Sequence, residues 1–78
     1  MTGDRKLPIL KPQEMVRVVE KMGFVRTKKS KGGHLRYCHP DGRKTSIPMH
    51  KGEDIGRGLL RKILRDIDIE IEELRKYL

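Results

Sequence analysis

The chain has 78 residues, of which 35% are hydrophobic and 38% charged, and its 19 Lys and Arg against 11 Asp and Glu give a formal charge of +8. A domain of this size buries only about 60% of the surface its unfolded chain exposes, which excludes a deep, enclosed active site and leaves the surface as the place for any chemistry. No apolar run is long enough to span a membrane, the charged start from Met1 to Lys6 has no apolar segment behind it and does not read as a secretory signal, and the single cysteine, Cys38, excludes an internal disulfide.

Residues 1–78 are expected to form one domain in the cytoplasm, with a loosely held arm over residues 1–9. Pro12 suits the first turn of a helix. Met15, Val18, Val19 and Met22 then recur at the spacing of one apolar helix face, and Gly23 supplies the stop. Residues 24–29 have the composition of a strand, and residues 30–33 are turn material. A second strand is expected over residues 34–39. Its alternation places Leu35 and Tyr37 on one face and His34, Arg36 and Cys38 on the other.

His39, Pro40, Asp41 and Gly42 spell a tight turn in which Pro sets φ and Gly takes a positive φ, so residues 43–48 should return as a third, antiparallel strand. Residues 48–54 read as a connecting loop. From Gly56, Leu59, Leu60, Ile63, Leu64 and Ile67 resume a helical spacing, with Arg57, Arg61, Lys62 and Arg65 on the opposite face. A short last helix is expected from Asp68 or Glu70, with Ile71, Leu74 and Leu78 on its apolar side. The predicted class is α+β: an αβββα sandwich in which helices cover one face of a three-stranded antiparallel sheet and leave the other face open to solvent or ligand.

The charge is unevenly placed. Residues 21–65 hold thirteen basic and three acidic side chains, whereas residues 66–78 hold two and five. The middle of the chain is therefore the part that should face a polyanion. Lys28, Lys29 and Lys31 by themselves fit a guarded strand edge, and the basic helix stripe by itself fits a solvated face. Together with the net charge they favour nucleic acid. Phe24, Tyr37 and Tyr77 are too few for a base-stacking platform, so backbone and shape contacts of the kind that govern RNA recognition should dominate. No helix-turn-helix pattern precedes the basic helix, and no direct DNA contact is expected.

His34 is the strongest single candidate for chemistry, because an imidazole both accepts and donates a proton at neutral pH. The glycines before it would let a phosphate backbone approach closely. On RNA it would activate a ribose 2′-hydroxyl for attack on the adjacent phosphate, with Lys or Arg stabilising the developing charge. The plainer reading is a surface histidine after a turn. His39 in its turn and His50 in its loop read as structural. A zinc site from His34, Cys38, His39 and His50 is not expected, because Cys38 and His39 are neighbours pointing to opposite faces and no C-x-x-C pair anchors tetrahedral coordination. No metal and no cofactor are predicted.

The ordered set Leu7-Pro8, Gly23-Phe24, Gly32-Gly33-His34, residues 39–43, residues 47–50 and the helix entry at residues 55–64 resembles HicA-type toxins, the mRNA-cleaving members of HicAB toxin–antitoxin pairs, over nearly the whole chain. The resemblance implies a double-stranded-RNA-binding-like fold and a catalytic histidine on the second strand, which is His34 here. It further implies metal-independent cleavage of mRNA and a HicB-type antitoxin covering His34 and the basic face. Lys28, Lys29, Lys31, Gly32, Gly33 and Arg36 are the residues expected to hold RNA. Gly33 stands where the family usually has Ser, which removes a hydroxyl beside the imidazole, and Glu70 stands where a better N-cap is usual. Two other readings share the fold and the charge: a non-catalytic RNA-binding module, and a basic subunit that meets only an acidic protein.

Overall fold

The computed structural model describes residues 7–27, 33–49 and 52–78. The first helix, α1, is Pro12–Lys21, with Pro at the position where a missing N–H costs nothing. Met15, Val18 and Val19 are fully buried along its inner face. Its end is a Schellman motif, in which the Gly23 N–H reaches the Glu20 carbonyl at 3.1 Å and the Phe24 N–H reaches that of Val19 at 2.9 Å. Gly23 has φ of +101°, and a Cβ there would stand 3.3 Å from His39 Nε2, so the expected stop is also a packing requirement.

The first strand, β1, is Val25–Arg26 and is shorter than the six residues expected. The Phe24 N–H is committed to the helix end and its side chain is buried, which removes Phe24 from the strand. Thr27 carries the pairing one residue further through its N–H to the Arg36 carbonyl; Lys28 and Lys29 lie outside the described residues. The strands β2, His34–Cys38, and β3, Lys44–Pro48, complete an antiparallel sheet in the order β1-β2-β3. His34 pairs with Pro48, Arg36 with Ser46 and Cys38 with Lys44.

The β2–β3 turn closes as expected. The His39 N–H donates to the Arg43 carbonyl at 2.8 Å, and Gly42 takes φ of +102°. His39 bonds locally, accepting the Asp41 N–H at Nδ1, and lies edge-on to Phe24 with ring centroids 5.0 Å apart. Arg43 braces this end of the molecule. Its Nε meets the Asp41 carboxylate at 2.9 Å, its Nη1 donates to the Ile67 carbonyl, and its guanidinium lies 5.2 Å from the Phe24 ring centroid. The Arg43 backbone N–H, then its side chain and charge, hold the Asp41 carboxyl below its ordinary pKa.

The second helix, α2, is Arg57–Ile67, and the third, α3, is Ile71–Lys76. Leu60, Ile63, Leu64 and Ile67 bury the expected face of α2. Asp68 turns the chain between the helices in the left-handed region, at φ of 61°, a conformation that Asp tolerates better than most residues. Leu74 is buried, but Leu78 is half exposed, because α3 stops at Lys76 and does not carry Leu78 round to its apolar side. Leu7 joins the core and Leu10 bridges to Ile55, while Ile9 between them is exposed.

Both α1 and α2 pack on β3, giving the αβββα arrangement expected. The contacts Arg43 to Ile67 and Thr45 to Asp66 align the C-terminal end of α2 with the β2–β3 turn. The first turn of α2 therefore stands at the opposite end, where His34 pairs with Pro48.

Tyr37 ties β2 to α1. Its ring is 1% exposed, and its hydroxyl donates to Glu20 Oε2 at 3.0 Å. Burial first, then this hydrogen bond and the Glu20 charge, raise the phenol above its ordinary pKa of 10.0. Because the folded-state value lies above the unfolded one, the phenol contributes stability below pH 10 that is lost as pH rises through the folded value. Tyr37→Phe is expected to cost about 1 kcal/mol at pH 7, a fall of roughly 4–8 °C in Tm. It should also flatten the alkaline loss of stability. Thermal melts at pH 7 and above pH 10 check both.

Candidate functional site

The face of the sheet away from the helices is set by strand alternation and register. From β2 it receives His34, Arg36 and Cys38, and from β3 their partners Ser46 and Lys44. Thr27 and Val25 come from the β1 side, opposite Arg36 and Cys38. His34 is the first residue of β2 and is exposed; Gly33 just before it is exposed too, and its carbonyl accepts the Met49 N–H. Arg36 is exposed two residues along, which at about 3.3 Å per residue puts it roughly 6.6 Å from His34. His34, Gly33 and Arg36 are thus brought together as expected. Lys28, Lys29, Lys31 and Gly32, expected to act with them, lie outside the described residues, as does His50.

Two cations that the sequence reading did not place at the site share this face or its border. Lys44 is exposed beside Cys38, and Lys62 reaches the edge of β3 from α2. They line a groove of about 460 Å³ together with Arg36, Thr27, Cys38 and Ser46. Among the described residues, Asp66 is the groove's one carboxylate. It accepts from Thr45 Oγ1 and Lys62 Nζ, each at 3.0 Å, which leaves Arg36 and Lys44 as the groove's uncommitted charges. The signal for Lys44 was present in the turn: once Pro40 and Gly42 fix the hairpin, counting back from it pairs Cys38 with Lys44 and Arg36 with Ser46.

Cys38 is half-buried on the open face and His39 is turned onto Phe24, so the two neighbours point apart. No three His, Cys, Asp or Glu side chains converge on one point among the described residues. None of their helices is long and apolar enough to cross a membrane.

An αβββα fold whose uncovered sheet face gathers a histidine, cations and hydroxyls defines a class: small basic α+β domains with one open, cation-bearing sheet face. Residues 12–69 match the family model described as the HicA toxin of bacterial toxin–antitoxin systems, and the chain belongs to that family. It is the toxin of such a pair, and an antitoxin is its expected partner in general terms. No curated protein matches the chain closely.

Proposed function

We propose that the protein is an endoribonuclease that cleaves mRNA at the open sheet face, with His34 as general acid and base. The observation that carries this reading is the placement of an exposed His34 beside Gly33 and Arg36 on a face free of helices. In the proposed step the imidazole takes the proton of a ribose 2′-hydroxyl, whose oxygen attacks the adjacent phosphorus in line. The P–O5′ bond breaks, and the proton returns to the departing 5′-oxygen. The products are a 2′,3′-cyclic phosphate and a 5′-hydroxyl. Arg36, with Lys28, Lys29 and Lys31, holds phosphates and stabilises the charge that builds on the phosphoryl oxygens, while Gly32 and Gly33 admit the backbone.

The reaction is proposed to be metal-independent, since the one carboxylate among the described residues lining the groove, Asp66, is engaged by Thr45 and Lys62, and a divalent ion needs several oxygen ligands. A HicB-type antitoxin with acidic residues would cover the same face and silence the toxin in the cytoplasm.

The test is incubation of the purified protein with a defined end-labelled RNA in EDTA. Fragments ending in a 2′,3′-cyclic phosphate are the expected result. Cleavage abolished by the chelator would overturn the metal-independent step. Intact RNA that the protein nevertheless binds would overturn the enzyme and leave a binding module. Because Gly33 lacks the hydroxyl usual in the family, Gly33→Ser is expected to raise the cleavage rate several-fold, read in the same assay.

A further inference from the structure

We propose that the groove between Arg36 and Lys44 is a subsite for a nucleotide flanking the cleaved linkage, with the two cations on its phosphate and Ser46 on its ribose 2′-hydroxyl. The inference rests on the reading of His34 above and extends it to a recognition site on β3.

Position supplies the first argument. The groove opens on the sheet face that carries His34 and continues over the edge of β3 to Lys62 and Asp66 of α2, and Arg36 begins it roughly 6.6 Å further along β2, which is about two nucleotide steps at about 3.4 Å of stacked rise. A strand of RNA whose scissile phosphate lies at His34 therefore passes into the groove without leaving the sheet. Charge supplies the second. The groove's carboxylate is engaged by Lys62 and Thr45, so Arg36 and Lys44 face it with no acid to neutralise them among its described lining residues. A polyanion fits this better than a neutral ligand. Shape and chemistry supply the third. The volume of about 460 Å³ is of nucleotide scale, and the pairing of Arg36 with Ser46 puts a hydroxyl beside the guanidinium. Ser46 both donates and accepts a hydrogen bond, as does a ribose 2′-hydroxyl, which is the group that separates RNA from DNA.

The experiment measures binding apart from cleavage. In a His34→Ala background, a fluorescein-labelled 12-nucleotide RNA and the DNA of the same sequence are titrated by anisotropy at several salt concentrations. Lys44→Gln is expected to weaken RNA binding about 5- to 10-fold and to lower the steepness of the salt dependence by about one phosphate contact. Ser46→Ala is expected to weaken RNA binding a few-fold and DNA binding hardly at all. Circular dichroism melts of each variant confirm an intact fold.

Unchanged RNA affinity in Lys44→Gln overturns the subsite, as does an equal loss for RNA and DNA in Ser46→Ala. So does a variant that binds RNA normally but loses affinity for poly-glutamate, which would make the groove a protein contact. The cleavage assay on the unmutated protein keeps the two readings distinct. Lys44-dependent binding without any cleavage removes the nuclease and keeps the groove, and cleavage with Lys44-independent binding does the reverse.

Discussion

His34→Ala is expected to lower the rate of RNA cleavage by about 10²- to 10⁴-fold, the range that a positioned general acid and base contributes, while the melting temperature stays within a degree or two. The separation follows from where the residue sits. His34 is exposed at the first position of β2, on the face away from the core, and its backbone holds its place in the ladder opposite Pro48 whatever the side chain. The same imidazole on a buried face would have coupled the two effects. Single-turnover rates on an end-labelled RNA, measured beside circular dichroism melts, decide the matter. A variant that cuts at the original rate would remove His34 from the reaction.

The largest loss of stability is expected from Ile47→Ala. Ile47 is fully buried on the inner face of β3, the strand on which both α1 and α2 pack. Removing three carbons there leaves a cavity that two helices and a sheet must collapse around, and such truncations cost about 2–5 kcal/mol. A domain of this length has only roughly 4–12 kcal/mol in total, and neither a disulfide nor a structural metal is expected to make up the loss. The expected result is a fall in Tm of more than about 10 °C or failure to fold at 37 °C, read by thermal melt or urea titration. A loss below 1 kcal/mol would mean that the core is not centred on β3.

Most of the architecture was legible because single-residue physics sets it. Helical spacing placed Met15 to Val19 and Leu60 to Ile67, alternation placed Tyr37 inward and His34 outward, and the Pro40-Asp41-Gly42 turn fixed the hairpin. What was illegible depended on competition between elements. Phe24 has strand-forming chemistry, but its N–H closes α1, a choice that local composition does not reveal. Leu78 continues a helical spacing beyond the residue at which the helix stops. At the site, His34, Gly33 and Arg36 were legible as neighbours in sequence, whereas Lys44 and Ser46 join them only across the sheet and Lys62 only from beneath it. Arg43 counted as one more positive charge, although its donors are engaged by Asp41 and the α2 carbonyl end.

Pro48 has a consequence for how this toxin can be held by another protein. Hydrogen bonds from Met49 to Gly33 and from His39 to Arg43 fix the alternation of the β2–β3 ladder, so the nitrogens of Lys44, Ser46 and Pro48 point away from β2, toward the free edge of the sheet. Proline has no hydrogen to offer there. A visiting strand laid along β3 would find an interrupted row of donors, headed by a lysine that is costly to cover. The edge is thus a poor template both for self-association and for a neutralising partner that adds its own strand. A partner that approaches along β3 must therefore rely on side-chain contacts more than on the ladder.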